Sequence, residues 1–443
     1  MTTLHDTPSY NLKAVIRQTG LKPDTLRAWE RRYGLPEPQR SRGGHRLYSE
    51  RDIATIKWLI ARQREGLSIK RAVELWHQLQ DEGQDPLYAS SSLITPGQTT
   101  QQPVTPGDTL IQLRQAWIAA CLAFDEQKAE QALSQAFSLY VPETVCLELL
   151  QKGLAQIGQL WYEGQATVQQ EHFASALAVR RLWTLILATP PPTRTGRILT
   201  ACPPGEEHSF PLLLVTLLLR RRGWDVVYLG ANVPLEKMIK TIDTANPKLV
   251  LLTAQTLSSA ANLLEMAHLL NREQVSVAFG GLVFNLLPEL VKHVPGHFVG
   301  RDLEQTPQTV EQIMAGAFSR PEFEAIPEHY FRARNYFQER QPHIEAHLNE
   351  TLHLPAVAPA HLEIANKEIA LNIKAALTLG NMDYLSLDVD WVKGLLGNYQ
   401  LAPEPFKDYL AAYLTAAQAQ MDERGEPVVA WLARLLKNNP APE

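Results

Sequence analysis

Cysteine is scarce in this chain: Cys121, Cys146 and Cys202 are the only three in 443 residues. Thiols so far apart supply neither a disulfide framework nor a zinc cluster, which points to a reducing compartment. Long apolar runs are missing as well, so no segment reads as a membrane span, and no secretion signal opens the sequence. The expectation is a cytoplasmic protein with no membrane partner. The composition that remains is ordinary for a soluble protein, 45% hydrophobic and 20% charged. The length leaves room for about three domains.

Charge is unevenly spread. Residues 1–80 hold 15 Lys and Arg against 8 Asp and Glu, a local +7 that leaves −12 for the remainder of a chain of net −5. A basic domain on an acidic body suggests a nucleic-acid reader attached to something else. Its pattern is specific. Residues 10–20 read as a short amphipathic helix ending at Gly20, and Pro23 and Asp24 open a second helix, Thr25 to Tyr33, stopped by Gly34. Two short helices across a Gly-containing turn make a helix-turn-helix whose second member suits a major groove. That helix offers Arg27, Arg31 and Arg32 to base edges and phosphates, with Trp29 and Tyr33 as aromatic surface. The run Arg40 to Tyr48 reads as a Gly-turned basic wing.

The run Thr25-Leu-Arg-Ala-Trp-Glu-Arg-Arg-Tyr-Gly-Leu-Pro, followed by Arg42-Gly-Gly-His-Arg-Leu-Tyr-Ser49, resembles the winged helix of MerR-type transcriptional regulators. The resemblance implies a double-stranded DNA operator as partner. It places Arg27, Arg31 and Arg32 in the recognition helix, and Arg42, His45, Arg46 and Tyr48 in the wing.

Residues 81–108 are rich in Ser, Thr, Gln, Gly and Pro and read as a flexible linker after a DNA-binding domain over 1–80. Residues 109–190 keep helical spacing almost throughout, with breaks near Phe124-Asp125 and Val141-Pro142, and predict a four-helix bundle. Strand and helix patterns then alternate through residues 195–317: Arg197–Cys202, Asp225–Leu229, Leu249–Thr253, Val275–Phe279 and His297–Val299, each followed by a helical pattern. Five such units predict a flavodoxin-like, doubly wound parallel sheet. No Asp ends the first or third strand, so the acidic pocket of a phosphorylated receiver is absent.

At the C-terminal end of the first strand comes Pro203-Pro-Gly-Glu-Glu-His208, the place where open α/β sheets bind ligands. Glu206 is close enough to hold one imidazole nitrogen of His208, leaving the other free for a metal. A surface histidine after a turn is the plainer alternative. The strand ends add Thr253 and a glycine pair, Gly280-Gly281, which allows a ligand close approach to the backbone.

This pattern is similar to the cobalamin-binding domain of corrinoid mutases, methionine synthases and CarH-type regulators. The resemblance implies that His208 is the lower cobalt ligand, Glu206 its hydrogen-bond partner, Thr253 the strand hydroxyl, and Gly280 and Gly281 the pair lining the slot for the cofactor's tail. Glu206 stands where the family has Asp, and Pro211 where its loop has Gly. Upstream, Trp161 followed after nine residues by Glu171-His172 resembles the helical cap of light-responsive CarH-type proteins. That resemblance implies that Trp161, Tyr162, Glu171 and His172 cover the upper face of the cofactor. In the family a histidine that binds cobalt after illumination commonly follows the tryptophan; Tyr162 occupies that position.

Residues 318–443 read as a mostly helical extension of open role, irregular to 362 and then helical over Ile364–Leu379, Tyr384–Leu396, Pro405–Met421 and Val428–Leu436. Its aromatic and apolar set (Tyr384, Trp391, Leu395, Leu396, Tyr399, Phe406, Tyr409, Tyr413 and Trp431) is most simply core, with a second chromophore such as the bilin biliverdin as the alternative. His343 and His347 share a helix face if that stretch is helical, without an acidic third ligand. The expected protein is a multidomain α and α/β regulator, not an enzyme. It is expected to be a homo-oligomer, dimer or tetramer, that is controlled by a cobalamin, adenosylcobalamin by resemblance, and through it by light. A corrinoid methyl carrier or enzyme component is the rival reading, and a cobalamin-free regulator controlled by protein partners another.

Overall fold

The computed structural model describes residues 8–19, 21, 23–36, 38–40, 46–64, 69–81, 106–319, 321–352, 359–386, 389, 392 and 404–437. The chain divides into two units, residues 1–103 and 104–443, each taken by itself below.

In the first unit β1 (Tyr10–Asn11) leads into α1 (Leu12–Thr19) and α2 (Pro23–Tyr33). Next come β2 (Gln39–Arg40) and β3 (Arg46–Tyr48), then α3 (Glu50–Arg64) and α4 (Ile69–Asp81). The strands form an antiparallel sheet in the order β1-β3-β2. Apolar residues from every helix meet in one core, including Val15, Leu26, Trp29, Ile56, Leu59 and Trp76. Trp58 and Trp76 pack edge to face, their ring centroids 5.2 Å apart, which ties α4 to α3.

The second unit begins with four helical segments. These are α5 (Pro106–Leu122), α6 (Glu126–Leu139), a helix α7 over residues 142–162 and α8 (Val168–Leu187). Helix α7 contains a π-helical stretch, Val145–Gln151, before its regular part, Lys152–Tyr162. The breaks fall where capping chemistry puts them. Asp125 accepts the Lys128 N–H at 3.0 Å, Pro142 fills a first-turn position, and Thr167 and Gln170 form a capping box.

The sheet strands are β4 (Arg197–Ala201), β5 (Asp225–Tyr228), β6 (Leu249–Thr253), β7 (Val277–Gly280) and β8 (His297–Phe298). They lie in the order β5-β4-β6-β7-β8, all parallel, which is the doubly wound arrangement the alternation predicts. The connecting helices are α9 (Phe210–Arg221), α10 (Met238–Ala245), α11 (Leu257–Arg272), α12 (Leu282–Leu286) and α13 (Thr306–Met314). One continuous helix was expected over Leu282–Val291. It ends at Leu286 because Pro288 has no N–H to give, and a 3₁₀ turn, Pro288–His293, follows.

Helix α9 explains its own unbroken apolar run. Leu213, Leu214, Leu217 and Leu218 join the core of the four-helix bundle, while Leu212, Val215 and Leu219 join the core under the sheet. A helix apolar on all sides is one buried on all sides. Bundle and sheet are therefore welded through α9.

On the other face of the sheet, α14 (Glu328–Thr351), α15 (Pro359–Thr378), α16 (Glu404–Gln420) and α17 (Glu426–Lys437) form a further layer against α11. Tyr336, Phe337, Ile344, Tyr413 and Trp431 share one core with Val250 and Leu264 of the sheet and its helix. Tyr384 and Tyr409 are buried in that core too, as the simpler reading of the aromatic set expects. Trp391, Leu395, Leu396 and Tyr399 lie outside the described residues; over the helix expected at Tyr384–Leu396, a 3₁₀ turn, Met382–Leu385, comes first, and Ser386, Val389 and Val392 are α-helical. Residues 328–351, expected to be irregular, are helical with Pro342 inside. Its few apolar residues, diluted by charge and interrupted by a proline, hide the period that tertiary packing satisfies. Cys121, Cys146 and Cys202 are buried free thiols pushed up to about 12 by burial, so they act as small apolar residues.

Candidate functional site

The loop between β4 and α9 turns tightly through Pro203-Pro204-Gly205 and is gripped from both sides. Asn232, in a left-handed conformation at φ +52° after β5, accepts the Gly205 N–H at 2.9 Å and donates its own N–H to the Glu206 carbonyl at 3.0 Å. From α11, the Asn262 amide donates to the Pro204 carbonyl at 2.8 Å. A loop fixed this way presents its side chains in one geometry.

Glu206 is fully buried and accepts four hydrogen bonds. Its Oε1 takes the backbone N–H and the Nδ1–H of His208, both at 2.8 Å; its Oε2 takes the Gln255 N–H and the Ser259 hydroxyl, both at 2.6 Å. Burial alone would push this carboxyl up, but the bonds from His208, Ser259 and Gln255 outweigh burial and hold it below the usual carboxylate range. Conversely, the hydrogen bond His208 donates to Glu206 raises His208 against the opposing effect of burial, helped by the nearby charges of Glu206, Glu171 and Glu207. In the neutral ring the bond to Glu206 keeps the proton on Nδ1 and leaves Nε2 as the lone-pair donor. The His208 side chain is 68% exposed, so that donor faces open space.

The strand ends beside this loop are shaped by parity. Leu249 and Leu251 of β6, and Ala278 of β7, point to the α9 and α13 layer, whereas Val250, Leu252 and Phe279 point to the α11 side. Thr253 and Gly280 therefore face α9 and α13 from adjacent, paired positions. A Cβ on Gly280 would lie 3.0 Å from Val299 Cγ2, so the close packing of Val299 against the end of β7 favours glycine there. Gly281, at φ +127°, starts the next turn hard against the Ala254 backbone.

Of the cap residues, Trp161 and Tyr162 end α7 half-buried, Glu171 stands in the first turn of α8 and His172 follows it. Glu171 accepts the Ser175 hydroxyl at 2.6 Å and binds His172 Nδ1 at 2.8 Å. The pair repeats the Glu206–His208 arrangement, and its carboxylate is near enough to act on His208 electrostatically. A ring contact at 5.4 Å between Trp183 of α8 and Tyr228 of β5 joins cap and sheet on the same side.

No group of three or more His, Cys, Asp or Glu able to hold a metal occurs among the described residues, His343 and His347 included. A bare ion would thus find fewer than three such ligands at His208, which is too few. A metal already held in a planar macrocycle would need only one such imidazole, and His208 is the residue that would supply it.

In the first unit Arg27, Arg31 and Arg32 are exposed along α2, opposite its buried Leu26 and Trp29. Trp29, expected as surface, belongs to the core. Tyr48 is fully buried as well, and its hydroxyl donates to Glu30 at 2.6 Å, while Arg46 binds the other oxygen of Glu30 at 2.8 Å. Residues 46 and 48 thus brace β3 against α2. Arg42 and His45 lie outside the described residues.

A model of the MerR HTH family regulatory protein matches residues 10–79, and two B12 binding domain models match residues 113–183 and 196–307. The HTH-type transcriptional repressor CarH of Myxococcus xanthus is 32% identical over 253 residues, 57% of this chain and 81% of that protein. The chain belongs to the CarH family of MerR-type regulators. CarA of the same organism, also an HTH-type transcriptional repressor, is 31% identical over 226 residues, 50% of this chain and 68% of that protein. A monomethylamine corrinoid protein of Methanosarcina barkeri is a more distant likeness, with 18% identity and a TM-score of 0.40 over 47% of this chain and 100% of that one. The protein is accordingly a DNA-binding regulator with cobalamin-binding domains, and among its described residues no helix is long and apolar enough to cross a membrane.

Sequence reasoning on this CarH-family chain missed Asn232, Gln255, Ser259 and Asn262. Only Asn232, in a Gly-Ala-Asn turn after a strand, carried a local signal, since asparagine tolerates the left-handed conformation better than most residues.

One outcome follows directly from the exposed face of α2. Replacing Arg31 by alanine is expected to remove sequence discrimination, costing about 1–3 kcal/mol per half-site if it reads a base. Arg42→Ala should weaken all duplexes alike. Gel shifts with operator and scrambled DNA at two salt concentrations check this; unchanged discrimination in Arg31→Ala would remove α2 as the reader.

Proposed function

We propose that this protein is a light-responsive transcriptional regulator that holds adenosylcobalamin between its helical cap and the C-terminal edge of its sheet. The observation that carries the reading is the imidazole of His208, held at Nδ1 by a buried carboxylate, with an exposed side chain that feels the charge of Glu171. His208 serves as the lower ligand and Glu206 orients it. Thr253, Gly280 and Gly281 line the tail slot, and Trp161, Tyr162, Glu171 and His172 cover the upper face. When bound, adenosylcobalamin supplies a cobalt–carbon bond that light breaks.

The protein's part is to turn the presence of a group on the upper face into a fixed relation between cap and sheet. Their shared helix α9 and the Arg221–Glu143 ion pair, at 2.5 Å, are what that relation acts through. A fixed relation favours a homo-oligomer that offers several winged helices to one operator, where linked sites raise affinity without new contacts. Tyr162 has no imidazole, which leaves His172, with its Nδ1 on Glu171 and its ring exposed, as the cap histidine available after illumination.

Size-exclusion chromatography and operator gel shifts with adenosylcobalamin, in darkness and after green light, test the reading. A dark oligomer that binds operator and changes its elution volume in light is expected, with Tyr162→His giving a slower return in darkness. Elution and DNA affinity indifferent to both cofactor and light would overturn it.

A further inference from the structure

Gln255 stands at the crossing of the two halves of the proposed cobalamin site, and neither the family resemblance nor the His208 loop accounts for its side chain. Its Nε2 donates to Thr253 Oγ1 at 2.9 Å, and its Oε1 accepts the Leu282 N–H at 3.1 Å. One amide thus spans from the end of β6 to the turn after Gly280-Gly281. Those are the two walls assigned to the slot for the cofactor's tail. Meanwhile the Gln255 main chain is pinned, because its N–H bonds Glu206 Oε2 at 2.6 Å and the following Thr256 caps α11.

We propose that the Gln255 side chain is a latch across the tail slot and a determinant of which corrinoids enter. The inference rests on the cobalamin reading above. In the closed position both hydrogen-bonding ends of the amide are engaged with the slot walls, so a tail laid along Thr253 and the glycine pair meets the amide first. Opening needs only side-chain torsions, since the backbone is held. It breaks two hydrogen bonds and leaves the Gln255–Glu206–His208 chain intact, so ligand geometry at His208 survives the opening. Thr253 Oγ1 and the Leu282 N–H are then available to the incoming group. A corrinoid without a nucleotide tail has no need of the slot and enters without opening the latch. A closed majority state taxes the apparent affinity and entry rate of tail-bearing ligands alone.

The test compares hydroxocobalamin with cobinamide, which lacks the tail, in stopped-flow absorption on the full chain. Gln255→Ala removes both latch bonds and is expected to speed hydroxocobalamin association by roughly tenfold while cobinamide association stays within about twofold. Unaltered cobinamide binding doubles as the check that the variant is folded. Gln255→Asn, too short to span both walls, should behave like the alanine variant. Equal acceleration of both ligands, or of neither, overturns the latch and leaves the cobalamin reading standing. Loss of both ligands in both variants makes Gln255 a structural support and also overturns the latch. If the parent chain binds neither corrinoid, the cobalamin reading falls and the latch with it.

Discussion

His208→Ala is expected to abolish the histidine-ligated absorption spectrum of the cobalamin complex. The argument is one of supply. Among the described residues there is no metal-holding cluster, and the one imidazole of the sheet's ligand edge with a preset tautomer is His208, its Nδ1 proton tied to a fully buried Glu206. Alanine leaves no replacement within the loop, because Asn232 and Asn262 hold its backbone in place. Glu206→Gln provides the graded companion. One amide oxygen can still serve His208, but the amide NH₂ then faces the Gln255 N–H, a donor meeting a donor. A carboxylate partner lost behind a metal-binding histidine typically costs 10–100-fold in affinity, and the same range is expected here. Absorption titrations with adenosylcobalamin in darkness measure both variants. A parental spectrum in His208→Ala would put the axial ligand elsewhere.

Gly281→Ala is expected to destabilise the second unit by roughly 4 kcal/mol, at the upper end for a single substitution. Two separate costs combine. A Cβ at this position would lie 1.9 Å from the Ala254 carbonyl oxygen and 2.8 Å from its nitrogen, both backbone atoms. That backbone is held in turn, since the Ala254 N–H bonds the Gly280 carbonyl at 3.1 Å and the adjoining Gln255 N–H bonds Glu206. The second cost is the φ of +127°, which L residues rarely adopt. Gly300→Ala separates the two, because Gly300 is also left-handed, at φ +94°, but has no atom within 4 Å of its Cβ position. It should cost only about 1 kcal/mol. Urea unfolding of both variants measures the difference. Equal midpoints would mean that the close approach of the β7 turn to Ala254 contributes nothing. If the glycine pair also lines the tail slot, Gly281→Ala weakens cobalamin binding beyond its effect on folding.

Much of this molecule is written in short-range patterns. The two helices and wing of the first unit follow from Gly20, Pro23, Gly34 and the apolar spacing between them. Five β/α repeats follow from runs of strand length separated by helical periods, because side-chain direction repeats every two or 3.6 residues whatever the surroundings. The Glu206-x-His208 pair is equally local: a two-residue reach needs no tertiary help, and its placement after a strand follows from the alternation.

What the sequence left undecided is every pairing between distant segments. Glu206 is a buried anion only because Gln255 and Ser259 arrive from β6 and α11, and nothing in the spacing of those residues announces a carboxylate as their partner. Trp29 reads as aromatic surface and Tyr48 as part of the wing, yet both are core, since amphipathic periodicity says which residues share a face but not which face is covered. Helix α14 disappears behind Pro342 and a charged composition, and becomes helical because Phe337, Ile344 and Leu348 find α11 and its neighbours to pack against. The unbroken apolar run of α9 was plain to read, yet only the tertiary structure shows that it is shared between the bundle and the sheet. Local propensity is set within a few residues, whereas burial is set by which surfaces meet, and that meeting buried Glu206 with Gln255 and Ser259 bound to it.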